Sequence, residues 1–292
     1  MYELIKVTDI CYYVQCPAKI GIVRLSDSEV FLVDSGNDKD TAKKVLKILD
    51  SNGWTLKFIV NTHSHADHTG GNRFLQERTG CKIYAPEIEC SFVNCPVLEP
   101  AFLWGANPFG DLRHKFLMAG ECIAGPLTSD VLPEGFEILS LKGHFFNMIG
   151  IKTSDDVIFL ADSFSSEETL AKYRIGFIYD VEEYLATLEY VKTLKARAFI
   201  PSHSEVTEDI SEPVQFNIDC VNEIADKICE LISSPVCFEV LLKQLFDEYS
   251  LKLSAQQYVL VGSTVRSYLT FLKNKGRADF IIEDNMLLWK AV

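Results

Sequence analysis

The sequence lacks any apolar run approaching the ~20 residues that a membrane-spanning helix needs. The opening stretch, MYELIKVTDICYYV, lacks the basic segment and long apolar run of a secretory signal, so no export signal is expected. The nine cysteines form no Cys-x-x-Cys pair, which excludes a zinc-ribbon arrangement. An odd number of cysteines without an export signal is typical of a reducing compartment. We therefore expect a cytoplasmic protein with unpaired, mostly buried thiols.

Positive charge is also scarce. Lys and Arg number 28 against 41 Asp and Glu, which gives a formal net charge of −13. This balance disfavours adventitious binding to nucleic acid or to an anionic membrane surface, so no membrane partner is expected. The hydrophobic share of 48% and the length of 292 residues predict one large globular domain with a smaller one.

Histidine is the third scarce residue, and its placement is uneven. The chain has six histidines, and three of them lie in the stretch NTHSHADHTGG, Asn61–Gly71, together with an aspartate. A solvated loop gains nothing from crowded imidazoles, whereas imidazole nitrogens and carboxylate oxygens are ligands of divalent metals. The stretch therefore predicts a metal site that uses His63, His65, Asp67 and His68.

Three further polar residues each follow an apolar run with the character of a strand. These are His144 after FEILSLKG, Asp162 after VIFLA and His203 after ARAFIPS. The histidine cluster follows LKFIVNT in the same way. Strand ends of layered α/β folds meet at one edge, so we expect all seven groups to converge there. Seven ligands are too many for one tetrahedral metal and predict two divalent metal ions that share a carboxylate.

The chain changes character near residue 214. Apolar strands alternate with helical patterns over residues 1–213, which predicts an α/β catalytic domain. From 214 to 292, three helical patterns precede two short apolar strands around Glu283–Asn285. This order predicts a small C-terminal helical domain of the winged-helix-like kind.

The motifs VDSG, THSHADH, GH, LADS and PSH, in this order over roughly residues 10–210, resemble those of the metallo-β-lactamase-fold hydrolases. The glyoxalase II-like branch looks nearer than the true β-lactamases, which usually carry cysteine where Asp162 stands. The resemblance implies an αββα sandwich with metals at its edge. The C-terminal region is similar to the winged-helix-like tail of some members.

The resemblance also implies a role for each motif residue. One metal would be held by His63, His65 and His144, and the other by Asp67, His68 and His203. Asp162 would bridge them, and Asp67 and Asp162 would be the catalytic carboxylates. Asp34 would order the metal-binding loop from behind, although a plain turn aspartate in DSG is the alternative. Zinc is the expected metal, with iron or manganese as alternatives.

The function implied is hydrolysis of a small cytosolic ester, thioester or related substrate by attack of a metal-bound hydroxide. One alternative is an iron-dependent thiol or persulfide oxidoreductase, although flavodiiron relatives usually carry Glu where Ala66 stands. Another is a metal-dependent nuclease (phosphodiesterase) that binds through its C-terminal domain. The locally basic stretch there has only Arg266, Lys273, Lys275 and Arg277. Nucleic acid is therefore not an expected partner, and a homodimer is left open.

Substrate-binding residues are predicted in two places. The third motif reads GHFFNMIG, which departs from the Gly-His-Thr-Pro-Gly-His of many relatives and places Phe145 and Phe146 beside a ligand. The segment between Cys95 and Cys122 is rich in aromatic residues and contains Trp104, Arg113 and His114. We expect these five side chains to contact a small-molecule substrate. The alternative is that the aromatic residues only complete the core.

Overall fold

The computed structural model describes residues 2–292, which form an αββα sandwich followed by a helical region. Side chains of both large sheets, among them Phe31 and Phe159, pack in one buried cluster, so the sheets lie face to face. A second cluster joins the outer face of the first sheet to its helices. A third joins the second sheet to the helices that follow it. The predicted fold class is confirmed.

The first sheet has seven strands that lie in the order of the sequence. Neighbouring strands are antiparallel from the first to the fourth and parallel from the fourth to the seventh. Helical crossovers therefore connect the later strands. The strands are β1 (Glu3–Lys6), β2 (Cys11–Gln15), β3 (Ile20–Arg24), β4 (Glu29–Val33), β5 (Thr55–Val60), β6 (Lys82–Ala85) and β7 (Ala124–Pro126). The helices between them are α1 (Lys39–Ser51), α2 (Ala66–Thr69), α3 (Asn72–Thr79), α4 (Glu87–Asn94) and α5 (Leu98–Trp104).

The second sheet has four strands and carries the later motifs. They are β8 (Glu137–Ser140), β9 (Ile149–Lys152), β10 (Val157–Ala161) and β11 (Ala198–Pro201), in the order β11-β10-β9-β8. β9 and β10 form an antiparallel pair, while β10 and β11 are parallel. The crossover between β10 and β11 contains α6 (Glu167–Tyr173) and α7 (Val181–Thr193). The Asp180 side chain caps α7 by accepting hydrogen bonds from the backbone nitrogens of Glu182 and Glu183.

The C-terminal region contains the predicted three helices and terminal hairpin. Its elements are α8 (Ser211–Leu231), β12 (Val236–Cys237), α9 (Phe238–Glu248), α10 (Ala255–Asn274), β13 (Ala278–Glu283) and β14 (Met286–Ala291). The position of the predicted boundary, between 213 and 214, falls inside α8. Leu188 of α7 and Tyr268 of α10 belong to one buried cluster. The division into two domains and the winged-helix character stay predictions.

Two expectations from composition concern the whole chain. Within residues 2–292, no helix is both long and apolar enough to cross a membrane. All nine cysteines are unpaired, and Cys95 alone among them is exposed. The thiols therefore act mainly as small buried side chains, as expected.

Candidate metal centre

Seven polar side chains converge at the edge of the sandwich where β5, β10 and β11 end. Asp162 directly follows β10, His203 lies just past β11, and His144 lies in the loop between β8 and β9. The ligand atoms fall into two groups, and within each group they all lie within 4.8 Å of one another. The first group is His63, His65 and His144; the second is Asp67, His68, Asp162 and His203.

The first group consists of three imidazoles that face one point. Nδ1 of His65 lies 3.1 Å from Nε2 of His63 and 3.1 Å from Nε2 of His144. Burial, reinforced by the neighbouring imidazoles, lowers the pKa of all three side chains, that of His65 to about 3. The three rings are therefore neutral near pH 7, which is the form in which imidazole binds a metal.

The second group combines two carboxylates with two imidazoles. Nε2 of His203 lies 3.2 Å from Oδ2 of Asp67 and 3.2 Å from Oδ2 of Asp162. Burial alone would lower the pKa of His203 and His68, but the carboxylates raise that of His203 to about 10 and that of His68 well above its usual value. Burial opposes ionisation of the two aspartates, yet the imidazoles hold the pKa of both well below its usual range. Both carboxylates are thus ionised and attract a cation.

The imidazoles are oriented by hydrogen bonds on the side away from the cluster. Nδ1 of His203 donates to the backbone oxygen of Pro17 at 3.0 Å, and Nδ1 of His68 donates to a buried carboxylate at 2.8 Å. Thr62 Oγ1 donates to the same carboxylate, so it accepts from Nδ1 of His63 at 3.1 Å. In their neutral forms these rings keep the proton on Nδ1 and turn the Nε2 lone pair to the cluster.

The buried carboxylate belongs to Asp34, which directly follows β4. Besides His68, it accepts hydrogen bonds from the backbone nitrogen and from Oγ1 of Thr62, each at 2.8 Å. Its φ of 64° lies in the left-handed region, which costs a residue other than glycine about 1–3 kcal/mol. Asp34 is therefore more than a turn residue, because its carboxylate orders the histidine loop from behind.

Asp162 lies between the two groups. Its Oδ2 is 3.6 Å from Nε2 of His144 in the first group, and its Oδ1 is 3.1 Å from Nε2 of His68 in the second. Although Oδ1 of Asp162 and Nε2 of His68 are buried and lie only 3.1 Å apart, they form no hydrogen bond with each other or with any other group among residues 2–292. Buried polar atoms are rarely left unsatisfied. An imidazole nitrogen and a carboxylate oxygen in this position fit a divalent cation as their missing partner.

A buried carboxylate behind the first group was not predicted from the sequence. Glu89 of α4 accepts hydrogen bonds from the backbone nitrogen of Ser64 at 3.1 Å, from its Oγ at 2.6 Å, and from the backbone nitrogen of Asn147 at 2.9 Å. Glu89 therefore ties the loop that carries His63 and His65 to the loop that carries His144.

Glu99 of α5 is a second such carboxylate. Its Oε1 lies 3.9 Å from Nε2 of His65, the nitrogen turned away from the cluster. Burial, and then the Asp67 carboxylate, hold the pKa of Glu99 well above its usual range. Acidic residues on short helices are usually exposed, so the one signal in the sequence is that Glu99 stands between the apolar residues of VLEPAFL.

The two phenylalanines after His144 pack behind the metal ligands. Phe145 is fully buried, and its ring centroid lies 4.4 Å from that of His65. Phe146 packs on Phe145 and, at 4.1 Å between centroids, on Tyr179. These rings support the ligand loops from the protein interior. A direct contact with substrate stays a prediction for both.

The residues predicted in the 95–122 segment lie further out. Trp104 is 40% exposed and packs on Phe109 and on Tyr258 of α10, with centroids 5.1 and 6.3 Å apart. The side chains of Arg113 and His114 form hydrogen bonds within their own segment. None of the three predicted residues lines the cavity beside Asp67 and His203. Their role in substrate binding also stays a prediction.

Comparison with known proteins gives a partial match in sequence. Residues 14–102 match the model of the Metallo-beta-lactamase superfamily, and this range includes the histidine loop. A hydroxyacylglutathione hydrolase of Erythrobacter litoralis is 44% identical over 70 residues, which are 22% of this chain and 28% of that protein. One of Rhodospirillum rubrum is 42% identical over 69 residues, 21% of this chain and 27% of the relative. The chain thus spans under a third of the length of these relatives.

Comparison with solved structures covers nearly the whole chain. A beta-lactamase domain protein from Burkholderia ambifaria superposes with a TM-score of 0.73 and 15% identity, over 99% of this chain and 94% of the other. A metallo-beta-lactamase family protein from Thermus thermophilus gives a TM-score of 0.72 and 16% identity, over 99% and 98%. The shared architecture includes the C-terminal helices, because both superpositions extend over 99% of the chain.

Proposed function

We propose that this chain, which has the metallo-beta-lactamase fold, is a metal-dependent hydrolase of a small ester, thioester or related substrate. The observation that carries the proposal is the pair of adjoining ligand groups with Asp162 between them. The orphaned, buried Nε2 of His68 and Oδ1 of Asp162 support it, because a divalent cation would satisfy both. The partial match to hydroxyacylglutathione hydrolases agrees with hydrolysis of a thioester.

In this proposal each group binds one divalent cation, and zinc is the first candidate because imidazole and carboxylate are its usual ligands. His63, His65 and His144 would hold one cation, and Asp67, His68 and His203 would hold the other, with Asp162 available to both. Bound there, the cations would supply an activated water and a Lewis acid for the substrate carbonyl. Asp67 and Asp162 are ionised, so they serve as ligands rather than as proton donors.

The remaining residues prepare the site before any cation binds. Asp34 and the backbone oxygen of Pro17 fix the orientation of His68 and His203. The ring of Phe177 lies 5.2 Å from that of His65 and 5.7 Å from that of His144, and shields both ligands. A preorganised and partly dry site strengthens the electrostatic contribution of the bound cations.

The charges of the C-terminal region favour a small-molecule substrate over nucleic acid. Lys273, Lys275 and Arg277 each pair with a carboxylate within 2.7 Å. The guanidinium of Arg266 lies over the ring of Phe238 at 3.9 Å. Cations that are already paired within the protein contribute little to the displacement of counterions on which nucleic-acid binding depends.

Metal analysis combined with a substrate panel tests the proposal. We expect purified protein to carry two divalent ions per chain and to hydrolyse esters or thioesters in preference to phosphodiesters. His203→Ala should lose metal and activity, whereas His114→Ala, the change of the one histidine outside the cluster, should keep its metal content. A protein that binds no divalent metal, or that cleaves only phosphodiesters, would contradict the proposal.

A further inference from the structure

We infer that the substrate is a neutral acyl compound, whose apolar acyl chain lies against α10 and whose leaving group carries no negative charge. The inference rests on the proposed function and concerns the substrate of the same site. It departs from the sequence relatives, because glutathione is an anionic tripeptide. Those relatives match under a third of their own length, so they do not determine the chemistry of the substrate pocket.

A cavity of about 620 Å³ opens beside Asp67 and His203 of the second ligand group. Its wall is mainly apolar and includes Pro17 and Ala18 of the loop after β2, together with six apolar side chains from later parts of the chain. They are Phe116 of the 95–122 segment, Tyr173, Ile175 and Phe177 from the end of α6 onward, and Leu260 and Val261 of α10. Such a surface stabilises a bound alkyl chain by removing it from water.

Away from the two ligand groups, the same cavity offers an anion no cationic side chain. Of the described residues, no lysine or arginine lines it. Its one carboxylate outside the ligand groups is Asp38, which caps α1 and pairs with Lys115 at 2.9 Å. The polar groups that remain, such as the Gln257 amide on α10, are neutral. An anionic acyl group would therefore lose its hydration without gaining a charged partner.

A second cavity of about 620 Å³ adjoins the first through His203 and Tyr173, on the other side of the site. Three glutamates line it, Glu167, Glu168 and Glu205. Its two lysines contact other residues of the same cavity wall, so the glutamates exceed the lysines by one. Lys19 donates to the backbone oxygen of Ser204, and the ammonium of Lys172 lies over the ring of Tyr173 at 4.8 Å. The excess of carboxylates disfavours an anionic leaving group such as glutathione and admits a neutral one.

Four thioesters separate the two parts of the inference. Acetyl and hexanoyl groups are each attached to N-acetylcysteamine, which is neutral, or to glutathione, which is anionic. With metal-loaded protein, we expect kcat/KM to rise up to about fourfold per added methylene. We also expect the hexanoyl ester of N-acetylcysteamine to exceed that of glutathione by about tenfold or more, since the pocket repels the anion.

Leu260→Lys places a cation in the apolar wall. It should lower kcat/KM for hexanoyl N-acetylcysteamine by about tenfold more than kcat/KM for the acetyl substrate. Leu253→Lys is the matched control, because Leu253 is 58% exposed and lies before α10, outside the cavity. If Leu260→Lys fails to fold, Gln257→Lys makes the same test from a position that is already partly exposed.

Binding of hexanamide to metal-free protein, measured by calorimetry against acetamide, gives a readout that needs no catalysis. Hexanamide should bind more tightly, and Leu260→Lys but not Leu253→Lys should abolish the difference. Chain-length-dependent binding without hydrolysis of any ester or thioester would reject the proposed function and, with it, the inference about its substrate, leaving only an apolar binding surface beside α10. Hydrolysis that ignores chain length, or that prefers glutathione thioesters, would overturn the inference and retain the function. Failure of both measurements would reject both.

Discussion

The two ligand groups lie side by side, yet the protein supports them in different ways. The first group is three imidazoles backed by packed rings such as Phe145 and by the buried carboxylates of Glu89 and Glu99. The second group has two carboxylates and two imidazoles, and two of its members, Asp67 and His203, line the open cavity.

The protein thus prepares the two groups for a cation in two different ways. Burial keeps the first group neutral, so its lone pairs are ready but it offers no net charge. The second group holds its own charges in ion pairs, with aspartates ionised and imidazoles protonated in the metal-free protein. A cation that binds there must displace the imidazole protons, but it is then attracted by two carboxylates. We therefore expect packing to determine the metal affinity of the first group, and electrostatic interactions to determine that of the second.

The largest expected effect comes from the side chain that lies between the groups. Asp162→Ala should lower kcat/KM by more than about 100-fold, because even partners behind metal ligands cost about 10–100-fold when removed. Metal content should fall as well. Steady-state kinetics with metal analysis checks this, and Asp27→Ala, a change at a fully exposed aspartate, is the control. Full activity with one metal per chain would contradict the proposal that Asp162 serves two cations.

The pH dependence of metal affinity should differ between the groups. In the metal-free protein His203, with a pKa of about 10, is protonated at pH 7, so a cation must displace a proton. Raising the pH toward that value removes the competing proton, and affinity should rise about tenfold per pH unit for each proton released. The first group, in which His65 has a pKa of about 3, has no proton to lose and should show almost no change.

Variants that keep one group each make this difference measurable. Asp67→Ala with His203→Ala retains the first group, and His63→Ala with His144→Ala retains the second. Competition titrations with a chromophoric chelator between about pH 6 and pH 9 give the two affinities, because in this range His203 still carries its proton whereas His65 carries none. If the metal affinities of the two variants change with pH in parallel, the inference that packing acts on one group and charge on the other is wrong.

A smaller effect is expected from Glu89, which supports the first group alone. Glu89→Ala leaves the backbone nitrogens of Ser64 and Asn147 without a partner, so the free energy of unfolding should fall by about 1–3 kcal/mol. Metal affinity of the first group should fall by about 10–100-fold while that of the second changes little. Denaturant unfolding and metal titration check this against Glu87→Ala, an exposed glutamate on the same helix. Equal losses of metal affinity in both groups would contradict the inference that Glu89 supports the first group alone.

The parts of the site that follow strands could be predicted from the sequence. His144, Asp162 and His203 each come after an apolar run, and strand ends meet at one edge of a sandwich whatever the details of its helices. The alternation of apolar runs and helical patterns predicted an α/β domain, whereas the αββα sandwich was implied by the resemblance to the metallo-β-lactamase-fold hydrolases. The inferences from strand ends and from alternation need only the order of elements along the chain, which local periodicity reveals.

The supporting groups could not be predicted, because their roles depend on contacts between distant segments. Glu89 is 25 residues from Ser64, and nothing in its own helix indicates that it is buried. The same holds for the wall of the cavity, which is lined both by Leu260 of α10 and by Phe116 of a segment far from it in sequence. The aromatic content of residues 95–122 indicated packing but not which of its side chains face the site.

The smallest effect is expected from replacement of Trp104, at the end of α5. This replacement tests how far along the helix the packing that supports the first group extends. Glu99 lies near the start of this helix beside His65, whereas Trp104 at its end packs on Phe109 and Tyr258. Trp104→Ala should lose an aromatic interaction of about 0.5–1.5 kcal/mol. The melting temperature should then fall by a few degrees, at roughly 2–4 °C per kcal/mol, because only this outer packing is lost.

On the alternative that Trp104 only completes the core, metal affinity of both groups and kcat/KM of the folded fraction stay unchanged in Trp104→Ala. Calorimetric melting and kinetics on the same preparation give both values. A fall in kcat/KM at unchanged metal content and melting temperature would instead assign Trp104 to the substrate pocket. The aromatic segment would then belong to the open side of the site, and the packing that supports the first group would end before the last turn of α5.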